Sequence, residues 1–233
     1  MNVSYSESAL VIKHKNQIVF QHSTESPALF LGVGDANYDM YRGNFDITDY
    51  VIERLPMRKY QVEETASNTI ITFFFDGEPT IKMVVSETEE SRLKAEFEAI
   101  DKKYNRFWLR VAATEEEKVY GCGEQLTYFN LRGKNFPLWS SEPGVGRNKN
   151  NYVTWLADVK DKAGGDYYNT NYPQPTFVSD KKYFCHLETT AYADFDFTNA
   201  DFHELQCWDI PQYLLLDAEE SFPALVKNIT GVF

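Results

Sequence analysis

Between Arg92 and Ile100 the chain alternates: Leu93, Ala95, Phe97 and Ala99 fall on one side, Lys94, Glu96 and Glu98 on the other. A period of two with one polar side predicts a strand in a sheet with one wet face. Strands are likewise predicted at ALVIKH (9–14), QIVFQH (17–22), TIITFFF (69–75), TIKMVV (80–85) and NRFWLRVAA (105–113). Further along, KKYFCHLET (181–189), YADFDF (192–197), FHELQCW (202–208) and YLLLDA (213–218) read the same way. Lys15-Asn16 reads as a hairpin turn. Asp76-Gly77-Glu78-Pro79 reads as a longer turn, because Gly77 accepts positive φ and Pro79 cannot extend a central strand.

Helical patterning is nearly absent until SFPALVKNITGVF (221–233), where Ser221 is placed as an N-cap and Pro223 falls in the first turn. That helix reaches the last residue without a C-cap, which reads as a truncated chain. Many short strands and one late helix predict an all-β fold. It is a large antiparallel β-sandwich over residues 1–220, followed by a short C-terminal helix over 221–233.

Composition narrows the functional classes. The 233 residues include 17 Phe and 15 Tyr, ample for a core. A formal charge of −12 argues against nucleic acid as a partner, since phosphates need a basic surface. Cys122, Cys185 and Cys207 are odd in number and widely spaced, which predicts reduced, half-buried thiols rather than a disulfide framework or a zinc ribbon. The N-terminus lacks a basic and apolar leader pattern, and no apolar run approaches the ~20 residues that cross a bilayer. A cytoplasmic protein with no membrane partner is expected.

Candidate chemistry is sparse. Gly121-Cys122-Gly123 and Gly32-Val33-Gly34 lack the third glycine and following helix of a dinucleotide fingerprint. Gly144-Val145-Gly146-Arg147 lacks the Lys-Ser/Thr ending of a phosphate loop. The acidic runs Glu63-Glu64, Glu89-Glu90, Glu115-Glu116-Glu117 and Glu219-Glu220 read as solvated surface charge. Asp166 and Glu142 stand out as proton-transfer candidates because their neighbours are aromatic. His14, His22, His186 and His203 are scattered on strands, with His14 and His22 able to face each other across the first hairpin. They form no metal site, and no cofactor is expected. An acid–base pair between the sheets would need His186 with Glu204 or Asp166. What remains is the stretch from Tyr120 to Lys149, with YVTW (152–155) and AGGDYYNTNYPQPTFVS (163–179) after it. Aromatics interleaved with Gly, Asn, Gln and Arg suit a sugar-binding surface, where rings stack on pyranose faces, and equally suit a long folded-over loop.

Within that stretch, Tyr120-Gly121-Cys122-Gly123-Glu124-Gln125, Leu131-Arg132-Gly133-Lys134 and the run from Pro137 to Arg147 resemble the N-terminal region of glycoside hydrolase family 31. MYRGNF (40–45), GVGRNK, YVTW, AGGDYY and PQPTFVS are similar to its bacterial sulfoquinovosidase branch. The departure is Pro143, where a polar residue such as Gln would fit the pattern; a proline stiffens that turn. The resemblance implies a galactose-mutarotase-like sandwich preceding a (β/α)8 catalytic barrel. The nucleophile and acid/base of such retaining α-glycosidases lie on the barrel, so no catalytic residue is carried onto this chain. An accessory domain is implied, inactive alone, that packs on the barrel and lends a loop to the pocket for an α-glycoside. Trp139, Glu142, Gly144, Gly146 and Arg147 are the expected loop residues, with the glycines letting backbone come close and Arg147 suited to a carboxylate or sulfonate. Glu142 and Arg147 could instead bind each other or pin the loop. A free-standing carbohydrate-binding or regulatory module is the alternative.

Overall fold

Buried and exposed positions alternate along the strands much as the sequence predicts, and Leu93, Ala95 and Phe97 do face the core. The computed structural model describes residues 1–41 and 44–232. In chain order its elements are β1 (Asn2–Tyr5), β2 (Ala9–His14), β3 (Gln17–Ser23), β4 (Leu29–Tyr41), β5 (Asn44–Pro56), β6 (Lys59–Glu64), β7 (Asn68–Phe75), β8 (Glu78–Glu87), β9 (Leu93–Ala99), β10 (Arg106–Ala112), β11 (Val119–Gly123), β12 (Asn135–Leu138), helix α1 (Tyr152–Asp161), β13 (Pro173–Ser179), β14 (Tyr183–Glu188), β15 (Ala193–Asp196), β16 (Phe202–Cys207), β17 (Tyr213–Ala218) and helix α2 (Phe222–Ile229).

A six-stranded sheet, β12-β15-β16-β10-β4-β5, faces an eight-stranded sheet, β11-β13-β14-β17-β9-β8-β7-β6, and the paired strands run antiparallel. Their inner faces interdigitate through aromatic pairs: Phe97 meets Phe107 at 4.9 Å and Phe177 meets Phe195 at 6.2 Å between ring centroids. The first three strands form a small separate sheet. The all-β sandwich is therefore the observed architecture.

Several local expectations are corrected. The turn after β7 uses two residues rather than four: Asp76 and Gly77 both have positive φ, 50° and 87°. Pro79 sits inside β8, tolerated because the register shifts opposite it, between Phe73 and Phe74. His14 and His22 do not face each other, since Gln17 stands opposite His14 and Leu10 opposite His22. The three cysteines are fully buried free thiols, not half-buried ones. The chain also forms a second helix, α1, where only irregular chain was expected.

Glu117 is not surface charge. Its carboxylate lies in the core, accepting from the Tyr183 hydroxyl at 2.6 Å and lying 3.2 Å from His203 Nε2. Burial alone would raise the Glu117 pKa, but hydrogen bonds from His203, Ser179 and Tyr183 outweigh it and hold the carboxyl at about 2.

At the far edge, α2 begins at the predicted cap, Ser221, and buries Leu225 against Phe184 and Leu215 on the eight-stranded sheet. Asn228 Nδ2 donates to Asp217 and Glu219, while Lys15 Nζ donates to the same two carboxylates and His14 Nε2 lies 3.1 Å from Asp217 Oδ1. The first hairpin, β17 and α2 are thereby tied at one point.

Candidate functional site

The segment leaving β12 folds onto a second irregular segment, 163–170. Ser141 N donates to the Thr170 carbonyl at 3.0 Å, and Asn169 Nδ2 donates to Ser141 Oγ at 3.0 Å. Val145 N donates to Ala163 O and Gly165 N donates to Val145 O, a short parallel bridge. The glycines make this interlock possible. A Cβ on Gly146 would stand 2.1 Å from Thr154 Oγ1, and one on Gly165 would stand 1.9 Å from Pro143 O. Gly144 and Gly146 also hold positive φ, 64° and 74°. The backbone that these two glycines admit is thus the chain's own.

The predicted loop residues occupy distinct places on this scaffold. Arg147 is half-buried and its Nη1 donates to the Asn169 carbonyl at 3.1 Å. Glu142 is exposed. Among the described residues no ion pair joins the two, so Arg147 pins the loop through a carbonyl rather than through Glu142. Trp139 is half-buried at a cleft of about 550 Å³. Asp166 caps its own turn, accepting from Tyr167 N at 2.8 Å. Of the motif MYRGNF, residues 42–43 lie outside the described residues.

The loop runs directly into α1, whose start is set by Asn151: its side chain accepts from Thr154 N at 2.9 Å. This helix is turned inside out. Thr154 faces inward onto Gly146 and Gly164, whereas Tyr152, Trp155, Leu156 and Val159 share one face at helical spacing. Three of those four are exposed, Tyr152 at 70%, Trp155 at 50% and Val159 at 63%. An apolar stripe of that kind on a helix normally faces a core; here it faces outward. The asparagine cap and the spacing of those four side chains were legible signals for this helix.

Strands β4 and β5 add an arm. Only Leu29 to Gly32 of β4 pair with β10, while the β4–β5 ladder continues to Tyr41 and Asn44. The arm is tied to the α1 end of the site by Lys162–Asp39 and by Lys149–Asp46 at 3.8 Å. Tyr38 and Ile47, cross-strand partners on the arm, line the cleft together with Trp139. Behind it, Trp208 lies 4.4 Å from Tyr192 and 5.9 Å from Tyr38 by ring centroids. Trp208 is fixed on both sides: its indole N–H donates to Asp49 at 3.0 Å and Arg106 stacks on its ring at 4.3 Å. Tyr38, Tyr192 and Trp208 did not stand out in the sequence because they come from three separate elements.

No general acid–base pair is assembled at this surface. His186 is on the eight-stranded sheet, bonded to Thr176 and Glu188. Glu204 is on the six-stranded sheet, held by Arg54 at 2.6 Å and Arg110 at 2.9 Å. The His186–Glu204 or His186–Asp166 pair that independent acid–base chemistry would need is therefore not assembled. Asp194, bonded by Asn135 and Tyr192, is pushed up to about 6 by burial. Among the described residues no group of three His, Cys, Asp or Glu could hold a metal ion, and no helix is long and apolar enough to cross a membrane.

Comparison with known proteins adds scale to this geometry. Residues 7–196 match the family described as the glycosyl hydrolase 31 N-terminal galactose mutarotase-like domain. The chain is 44% identical over 230 residues to a sulfoquinovosidase of Agrobacterium fabrum, covering 99% of this chain and 34% of that protein. It is 40% identical to a sulfoquinovosidase of Escherichia coli, again covering 34% of it. A solved GH31 family sulfoquinovosidase from E. rectale, in complex with an aza-sugar inhibitor, superposes with a TM-score of 0.93 at 49% identity over 100% of this chain. The chain spans about a third of the length of these relatives.

Proposed function

Because the chain belongs to the glycosyl hydrolase 31 N-terminal galactose mutarotase-like family, we propose that it acts as the accessory domain of a cytoplasmic, retaining α-glycosidase of sulfoquinovosidase type. The observation that carries this reading is the end-to-end likeness to one third of a sulfoquinovosidase at 49% identity. The domain boundary is placed at 220/221, with α2 beginning the connection to a (β/α)8 barrel. In this role the domain is inactive alone. The outward stripe of α1 meets the catalytic barrel, and burying Tyr152, Trp155 and Val159 there supplies about 1.5–3 kcal/mol for each aliphatic or aromatic side chain. Beside it, the Trp139–Arg147 loop reaches the substrate pocket. Arg147 spends one N–H on Asn169 O, and the rest of its guanidinium fork suits an anionic group of an α-glycoside. Trp139 offers a ring face, Glu142 an exposed carboxylate, and Gly144 and Gly146 fix the loop's path. Three buried free thiols support the reducing compartment.

Arg147→Ala in the complete glycosidase tests this. The expected result is a fall in kcat/KM on a sulfoquinovoside of about tenfold or more, with unfolding free energy changed by less than about 1 kcal/mol. Equal loss of activity and stability would reduce Arg147 to a loop pin and overturn its substrate role.

A further inference from the structure

The cleft between the β4–β5 arm and Trp139 is built independently of the Arg147 loop tip. Its lining carries three aromatic side chains, Tyr38 on the arm, Trp139 and Tyr192. The same lining holds the hydroxyl-bearing residues Ser140, Thr189 and Thr190. The volume, about 550 Å³, is in the range of small-molecule sites and exceeds what one sugar ring needs.

Two features mark this cleft as preorganised. First, the ring behind it does not move freely: Trp208 is clamped between the Asp49 hydrogen bond and the Arg106 guanidinium, which itself donates to Asp49 at 2.8 Å. Trp208 in turn contacts both Tyr38 and Tyr192. Secondly, the Tyr192 hydroxyl is directed by Asp194, to which it donates at 3.4 Å. Asp49 also takes a bond from Gln206 at 3.0 Å, so its carboxylate is fully engaged in holding the platform. Aromatic rings held in place beside serine and threonine hydroxyls match the two kinds of surface on a pyranose. The axial C–H face stacks on a ring and the equatorial hydroxyls exchange hydrogen bonds. No charged side chain lines the cleft among the described residues, which suits a neutral sugar better than an anionic one.

We infer that this cleft is a binding site for an uncharged pyranose ring, with Tyr38 and Tyr192 as its stacking residues. The inference shares Trp139 with the functional reading above but does not rest on it, because Tyr38 and Tyr192 carry the stacking.

Isothermal titration of the 233-residue chain with methyl α-D-glucopyranoside tests it, with methyl α-D-glucopyranosiduronate as the anionic comparison. The expected result is saturable binding of the neutral glycoside with a Kd on the order of 1 mM. Tyr38→Ala should weaken it by about tenfold, the loss of one stacking ring. Tyr38 is 59% exposed, so that variant keeps its fold. Trp155→Ala, on α1 and outside the cleft, should leave the Kd unchanged. No saturable heat up to about 50 mM, tighter binding of the anionic glycoside, or equal weakening by Trp155→Ala would each overturn the inference. Failure of Arg147→Ala to lower glycosidase activity would leave these outcomes untouched, which separates this inference from the functional reading above.

Discussion

Arg132 Nη1 lies 3.3 Å from His203 Nδ1, and that one contact fixes the protonation of a buried histidine. A guanidinium can only donate, so Nδ1 must accept and Nε2 must carry the proton. Nε2–H then points at Glu117 Oε1, 3.2 Å away, where the Tyr183 hydroxyl also arrives. Arg132 spends its other donors on the carbonyls of Phe197, Thr114 and Ala200. A chain of polar groups thus crosses the core with each member satisfied.

Replacing Glu117 by Leu should therefore be costly. The Tyr183 and His203 protons would lose their acceptor, and each buried donor left unsatisfied costs about 1–3 kcal/mol, more where its partner was charged. Urea denaturation should show a loss of about 3 kcal/mol or more; a loss under about 1 kcal/mol would mean water replaces the carboxylate.

The same carboxylate sets an acid limit. Its folded pKa is about 2, below the ordinary value near 4.3, so the unfolded chain takes the proton first as pH falls. The contribution is whole above about pH 4.3 and is lost as pH drops through 2, amounting to about 3 kcal/mol. Glu117→Gln should abolish that slope. Unfolding midpoints at pH 5 and pH 2.5 would check it, and parallel curves for both proteins would contradict it.

Asp194 and His22 should oppose each other at milder pH. Burial raises Asp194 to about 6, so its contribution is present below about pH 3.9 and lost as pH rises through 6. Burial lowers His22 to about 4, so its contribution is lost as pH falls from about 6.5 through 4. The native chain should change little in stability across this window. Asp194→Asn should gain on it by about 2 kcal/mol between pH 4 and pH 7, after allowance for solvent screening. An unchanged difference between the two proteins at both pH values would refute the assignment.

Gly146→Ala and Gly77→Ala share a positive φ but not an environment. A methyl at 77 meets nothing within 4 Å, whereas one at 146 collides with Thr154 Oγ1. The first should cost about 1 kcal/mol of backbone strain and the second about 3 kcal/mol, with α1 displaced. Thermal unfolding and amide exchange at Thr154 and Trp155 would distinguish them; similar losses would count against the interlock.

Trp155→Ser should leave the stability of the 233-residue chain within about 0.5 kcal/mol, because the ring is half exposed. A marked destabilisation would show that the stripe packs on this chain rather than outward.

The sandwich was legible because its strands carry period-two alternation with turn residues between them. Leu93 to Ala99 is the clearest case. The motif Leu131-Arg132-Gly133-Lys134 was legible as a family mark, but its meaning was not: Arg132 serves the core, and Gly133 takes a φ of 77° in the turn. Helix α1 is hard to read from sequence because the side chain it buries is Thr154, against Gly146, while its apolar stripe faces out, the reverse of the usual pattern. Glu117 was misread because it closes a run of three acidic residues, and only pairing across 86 residues, to His203, reveals it as buried. The aromatic cleft was hidden for a similar reason, since Tyr38, Trp139 and Tyr192 meet only after the arm folds back.

The knot at Asp217 has a mechanical consequence. His14 and Lys15 come from the first hairpin and Asn228 from the last helix, yet all three converge on one carboxylate. A load applied along α2 is therefore shared at once with the opening turns of the chain. Peeling the helix away should be an abrupt rupture rather than a gradual fraying, and the torque transmitted through α2 should register at residue 14 before it reaches the arm.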